Sequence, residues 1–389
     1  MNILFVAPQL GKGGAEDIIV NMTSYFAENN RVSLFLFKRT QDDLYNLSRL
    51  PEGVEVISLF NNSFKHHSNF ERLFVLALYA LSPFIALYLY FRFRFYKFDI
   101  MHFNMTLSSF YLPLFKLIKI ITPKAKTKFI ETFHTNWHLL KWFNKLIFSI
   151  SWSCCDAVVY EIGSDEIKNI KKFSFAKNVH YIPFGVENGE DVDTDYLNYF
   201  TNKYLKESMD NKFVLMSIAR LRMFEKKLDQ FIAVLAEVKK KTDKDFHYII
   251  CGDGPDRRKL EELISAYALK SNVTITGYVD RPQQLAIIPD LFLAAMVEHS
   301  TGIAGLQAGM AGTAVLGYQT SNKYNGHNDS IFSSYDIDVL SNKIISLMDE
   351  DYLEHYRAQS TGYIVKTFNF DKFTHNYNQL FIKLVCREK

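Results

Sequence analysis

Cysteine is scarce in this chain. The four residues, Cys154, Cys155, Cys251 and Cys386, are scattered through 389 positions and show no zinc-ligand spacing. That excludes a disulfide-stapled scaffold and a cysteine-based metal centre, and it fits a reducing, cytoplasmic setting. A charge excess of one sign is also missing. Lys and Arg number 45 against 42 Asp and Glu, a net charge of +3, which gives no field for nucleic acid, so no nucleic-acid partner is expected. The N-terminal segment has neither a basic region nor a small-residue cleavage site, and Met1–Ala7 is expected to form a first buried strand rather than a secretory signal. Neither half of the chain carries G-x-G-x-x-G after its first strand, which argues against a Rossmann dehydrogenase.

What is present is enough apolar residue for packed domains. Hydrophobic residues make up 48% and charged residues 22%, close to globular averages. A single core stops growing at about 250 to 300 residues, so a chain of this length is expected to divide in two. Short apolar or β-branched runs alternate with helical patterns: Ile3–Ala7 then Glu16–Asn29, Val32–Phe37, Ile100–Asn104, Phe129–Phe133, Ala157–Tyr160. A second series runs Phe213–Ala219, Asp229–Lys241, His247–Cys251, Arg257–Tyr267, Val273–Thr276. Such alternation reads as βαβ units on parallel sheets. Glu187–Asp210 is polar and poor in aliphatics, and reads as a linker plus surface turns. Two successive doubly wound α/β domains with a cleft between them are therefore expected, spanning 1–190 and 191–370. The segment 371–389 is expected to form a C-terminal helix.

Aromatic residues are abundant, with 34 Phe and 22 Tyr. Leu73–Phe91 contains no charge and is flanked by Arg72, Arg92, Arg94 and Lys97. Its length approaches the roughly 20 residues of a membrane span, but Ser82-Pro83 at its middle and the strand-like Phe98–Phe103 after it favour a buried or interfacial helix. Lys116, Lys119, Lys124, Lys126, Lys128, Lys141 and Lys145 interleave with apolar residues, with Glu131 the one acid between Phe110 and Ser149. This reads either as a membrane-surface contact or as a solvated lysine face over an aromatic core.

Several short motifs fall at strand ends, where open α/β sheets bind ligands. Gly11–Glu16 follows the first strand, and its Gly13 and Gly14 would let backbone N–H groups approach a phosphate at a helix N-terminus, or merely turn the chain. Gly252-Asp-Gly-Pro255 follows a strand and reads better as a turn than as a site. Arg220 ends a strand, with Lys226 and Lys227 shortly after, a placement that suits a diphosphate or a solvated loop. His134 also follows a strand. Gly302–Gly305 and Gly309–Gly312 bracket Gln307 and allow close approach of a ligand or of a neighbouring helix.

Taken in order, these pieces resemble glycosyltransferase family 4, retaining enzymes of the GT-B fold. Gly13-Gly-Ala-Glu16 is similar to that family's N-terminal glycine loop, and Ile182-Pro-Phe-Gly-Val186 to its interdomain Ile-Pro-Asn-Gly-Val, with Phe184 in place of Asn. Ser217-Ile-Ala-Arg-Leu221 with Lys226 resembles the Gly-Arg-Leu…Lys-Gly donor-phosphate motif, with one extra loop residue and Lys227 where Gly is usual. Ile250–Pro255, Val273–Gly277 and Pro289–Leu293 follow at family spacing. The departure is at the family's two glutamates, where the register places His299 and Gln307.

The resemblance implies two Rossmann-like domains facing a cleft, with the C-terminal helix crossing back to the first. It implies a hexosyltransferase that uses a nucleotide-sugar, a UDP-sugar being one candidate, without metal or other cofactor. His134, Arg220, Lys226 and His299 would be catalytic. Gly13, Gly14, Arg220, Lys226, Gly277, Gly302, Ile303 and Gln307 would bind the donor. With the basic and aromatic surface, it points to a lipid-linked glycan acceptor and peripheral attachment at the inner face of the cell membrane, as in lipopolysaccharide or capsule polysaccharide biosynthesis. A non-catalytic partner subunit that binds an active transferase or its glycan is the alternative the missing glutamates leave open; the retained Arg220 and Lys226 favour the enzyme.

Overall fold

The computed structural model describes residues 1–11, 13–61, 68–93, 96–121, 126–134, 137, 140–161, 166–187, 192–205, 212–294, 302–319, 331–334 and 336–386. These divide into two compact units, Met1–Phe184 with Asp371–Lys389, and Gly185–Phe370.

The first unit is built on a parallel sheet of seven strands: β1 (Asn2–Ala7), β2 (Arg31–Arg39), β3 (Glu55–Asn61), β4 (Ile100–Asn104), β5 (Lys128–Phe133), β6 (Ala157–Tyr160) and β7 (Val179–Tyr181), in the order β3-β2-β1-β4-β5-β6-β7. The central strands are largely apolar because both faces are covered, with Ile3 to Ala7 all buried, while the edge strands β3 and β7 are only partly buried. Order reverses at β1, whose neighbours are β2 and β4, and a crevice at the strand carboxyl ends is expected there. The helix Phe370–Cys386 buries Phe373, Tyr377, Leu380, Phe381 and Leu384 as an i, i+4 stripe. Its Phe381 ring lies 4.9 Å from Phe26 and 5.9 Å from His102, both of the first unit.

The uncharged run is not one helix. Ser68–Ala80 and Ser82–Phe93 are bent 72° apart, since Pro83 at the start of the second helix lacks the N–H that would continue the first. Among the described residues no single helix is long and apolar enough to cross a membrane. Leu78, Ala86, Leu89 and Phe93 enter the core, while Leu73 (65% exposed) and Phe84 (72%) face outward.

The second unit holds β8 (Phe213–Ile218), β9 (Phe246–Cys251), β10 (Val273–Gly277), β11 (Leu291–Leu293), β12 (Ala314–Gln319) and β13 (Phe332–Ser334), all parallel, in the order β10-β9-β8-β11-β12-β13, with its reversal between β8 and β11. Its opening, Glu187–Asp210, read as a linker plus surface turns, is more ordered than that. That stretch contains a helix, Thr194–Tyr204, started by Asp193, whose carboxylate accepts from the Tyr196 N–H at 3.0 Å, and anchored by buried Phe200. One fully buried aromatic, with half-buried Tyr196, Leu197 and Tyr204 beside it, seats a helix whose outer face is largely polar.

Glu131, read as one acid within a basic surface, is in fact in the core on β5 with no exposed area. The Ser151 hydroxyl donates to it. Burial pushes its carboxyl up to about 8, partly opposed by hydrogen bonds from Ser109 and Ser151. An unfolded glutamate titrates near 4.3, so between these values the folded state holds a proton that the unfolded state has released. Stability is full below the lower value and falls as pH rises through 8, with a limiting slope of about 1.4 kcal/mol per pH unit. Glu131→Gln is expected to remove that slope; denaturant midpoints of wild type and variant from pH 5 to 8.5 should diverge in the variant's favour. Parallel curves would refute it.

Candidate active site

In the first unit the loops after β1, β4, β5 and β6 meet at the strand carboxyl ends. Residues 10 and 11 of the glycine loop are held by two buried polar side chains: Asp43 accepts from the Leu10 N–H at 3.1 Å, and Asn46 donates to the carbonyls of Leu10 and Gly11 at 3.1 and 2.9 Å. Gly13 starts the helix Gly14–Ala27 in extended conformation. A Cβ on Gly13 would lie 2.4 Å from a carboxylate oxygen of Glu16, the far end of a side chain that can swing aside. Burial raises the Glu16 carboxyl, while its own backbone N–H and the charge of His134 lower it. The Glu16 carboxyl group thus occupies this helix N-terminus, where the glycines alone suggested room for a phosphate.

His134 directly follows β5. Its Nδ1 lies 2.6 Å from Oε2 of Glu161, and its Nε2 lies 3.0 Å from Oδ1 of Asn104, which ends β4. The His134 side chain is 6% exposed and that of Glu161 not at all.

In the second unit Arg220 is exposed immediately after β8. A single helical turn, Met223–Lys226, brings Lys226 round before Lys227 takes a left-handed conformation (φ 51°) and the helix Leu228–Lys241 begins. A glycine there would adopt this backbone without the cost that lysine meets. The loop after β9 is fixed against this one backbone to backbone. The Ala219 N–H donates to the Cys251 carbonyl and the Leu221 N–H to the Asp253 carbonyl, each at 3.0 Å, while Asp256 accepts from the Met223 N–H. A Cβ on Gly252 (φ 149°) would lie 1.9 Å from the Ala219 carbonyl oxygen. Gly252-Asp-Gly254 is thus more than a turn, since it sets the loop that carries Arg220.

The segment 202–369 matches the family model for glycosyl transferases group 1. Solved structures of the same architecture include HepE from Anabaena in complex with UDP, 14% identical with a TM-score of 0.71, covering 98% of this chain and all of that one. The fold is GT-B. Among sequence relatives, the O-antigen biosynthesis glycosyltransferase WclY of Escherichia coli is 23% identical over 325 residues, 81% of this chain and 79% of that protein. The 2-deoxystreptamine N-acetyl-D-glucosaminyltransferase of Niallia circulans is 26% identical over 152 residues, 38% of this chain. The chain matches only 37% of that relative's own length.

On the GT-B frame, the candidate donor residues of the second unit lie on loops and helix starts after β8, β10 and β11. Gly277 (φ 78°) closes β10. Gly302 (φ 60°) opens the helix Gly302–Met310, which carries Ile303 and half-buried Gln307. Gly309, by contrast, serves packing: a Cβ there would lie 2.2 Å from Cδ1 of Ile364. His299 and its neighbour Glu298 lie outside the described residues. Sequence reading passed over Glu161 and Asn104; each stands at a strand end, which was the only local signal. Gly252→Ala is expected to cost at least about 3 kcal/mol, since its Cβ would strike backbone that has no rotamer to change. Thermal unfolding that matches wild type would show that the Arg220 loop is not set by this contact.

Proposed function

We propose that the chain is a glycosyltransferase that moves a sugar from a nucleotide-sugar to a lipid-linked glycan with retention of anomeric configuration, at the inner face of a bacterial membrane. The observation that carries sugar transfer is the place of Arg220 and Lys226. Both stand after β8, beside the point where strand order reverses, in the segment that matches the glycosyl transferases group 1 model. Departure of the nucleoside diphosphate builds negative charge, and fixed cations aimed at that charge are usually the largest catalytic contribution. UDP in the HepE complex supports a nucleotide-sugar donor here. Gln307 would hydrogen-bond the ribose hydroxyls through its amide, and the Gly302 and Ile303 N–H groups would add donors at a helix N-terminus. His134 would face the reacting sugar. The cations take the part that a divalent metal plays in other transferases.

The acceptor side rests on surface chemistry. Leu76, Leu87 and Phe91 are exposed on the bent helix pair, and Trp142 is 76% exposed on the helix Trp142–Cys154. Apolar side chains with lysines nearby suit an interface of anionic headgroups. Of those lysines, Lys126 and Lys141 are exposed, whereas Lys116 lies 3.6 Å from Asp156; Lys124 and the side chain of Lys119 lie outside the described residues. The O-antigen role of WclY supports a surface polysaccharide as product. A non-catalytic partner subunit remains the second reading, favoured by an amide at Gln307 in place of the family's carboxylate.

A panel of nucleotide-sugars screened by thermal shift tests the donor site. The cognate donor at 100 times its dissociation constant should add about 2.7 kcal/mol of stability, and Arg220→Ala and Lys226→Ala should each lose most of that gain while folding normally. No stabilisation by any donor, or undiminished stabilisation in both variants, would overturn the assignment.

A further inference from the structure

The structure assigns to Glu161, with Tyr377 of the C-terminal helix behind it, the role of positioning His134; this rests on His134 belonging to the transfer site proposed above. Oε2 of Glu161 lies 2.6 Å from Nδ1 of His134, and Oε1 lies 3.2 Å from the Tyr377 hydroxyl, 216 positions along the chain. A carboxylate only accepts, so Nδ1 of His134 carries a hydrogen, and the ring's tilt is set between Glu161 and the Asn104 amide oxygen, a second acceptor that faces Nε2.

The donors behind Glu161 can be ordered. Burial, with a lesser contribution from the charge of His134, lowers the His102 imidazole to about 3, so it is neutral and has one N–H. Its Nε2 lies 2.6 Å from the Thr132 hydroxyl, while its Nδ1 is buried without a hydrogen-bond partner. The hydrogen therefore belongs on Nε2. His102 then donates to Thr132, Thr132 to Tyr377 at 2.9 Å, and Tyr377 to Glu161. Every hydroxyl in the series donates once and accepts once, and the series ends on the carboxylate that holds His134. The opposite direction would put the imidazole hydrogen on Nδ1 of His102, leaving a buried N–H unpaired.

The residues come from β4, β5, the end of β6 and the C-terminal helix. The site of the first unit is thus incomplete without the last helix of the chain, and Tyr377 acts on His134 only through Glu161. Both are positioning residues; neither needs to touch substrate.

The test uses the full chain, selectively labelled with 15N-histidine, and the variants Glu161→Gln, Glu161→Asp and Tyr377→Phe. In wild type the His134 ring should show a protonated Nδ1. Glu161→Gln should lose that signature and lower kcat about 100-fold, the order expected when a reacting group shifts by about an ångström, with KM for the donor unchanged. Tyr377→Phe keeps the buried ring and should give a smaller fall in the same direction, and Glu161→Asp should restore part of the rate. A wild-type Nδ1 signature and kcat in both Glu161→Gln and Tyr377→Phe would overturn the assignment. If Glu161→Gln does not fold, Tyr377→Phe decides by the same two readouts. Loss of the signature in a protein that transfers no sugar even as wild type would uphold the positioning and sink the transferase reading instead.

Discussion

Glu161 has no exposed side-chain surface, and a carboxylate withdrawn from water costs several kcal/mol unless donors replace its hydration. The first unit supplies them from both sides: the imidazole of His134 on one oxygen and the phenol of Tyr377 on the other. That requirement ties the ends of β4, β5 and β6 to a helix delivered by the far end of the chain. Phe373, Tyr377 and Phe381 seat the helix by burial, at about 1.5–3 kcal/mol each. The Tyr377 hydroxyl then gives the same helix a polar task within an apolar interface.

The second unit meets a similar demand with backbone. There the loop after β9 is pressed on the loop after β8 so closely that Gly252 tolerates no side chain. Two amide-to-carbonyl bonds at 3.0 Å lock the loops together, and Arg220 projects from the loop so held. Both arrangements sit where a doubly wound sheet leaves its crevice, at the carboxyl ends beside a reversal of strand order. One fixes His134 and the other Arg220, the two groups proposed above to act in sugar transfer.

Much of the sheet architecture was legible because buried parallel strands are apolar without interruption: Ile100–Asn104 and Ala157–Tyr160 were read to the residue. Of the strands not read, Glu55–Asn61 and Val179–Tyr181 lie at the sheet edges and are only partly buried, whereas Leu291–Leu293 and Ala314–Gln319 are interior and largely apolar but short, and Phe332–Ser334 is a three-residue edge strand. The helix at Thr194–Tyr204 was hidden by its polar composition, since one cap and one buried ring carry it. At the site, His134 and Arg220 were legible as polar residues at strand ends. Their supports were not, because Tyr377 reaches Glu161 across 216 positions and Gly252 meets Ala219 across two loops. Such contacts are made by topology and leave no local spacing to read. Glu131 shows the opposite error: counted among surface charges from its neighbours in sequence, it lies on β5, a strand buried on both faces.

The apolar outer faces of the bent helix pair give the first unit a surface that water alone does not explain, and the donor site proposed for the second unit calls for an acceptor. The most direct measurement of the whole account is release of nucleoside diphosphate when the purified chain is incubated with nucleotide-sugars and bacterial membrane lipid. The account predicts that one donor is consumed, with its sugar recovered on a lipid-extractable product and its anomeric configuration kept. Donor binding without nucleoside diphosphate release, for every nucleotide-sugar and every membrane fraction, would contradict it and leave a binding subunit.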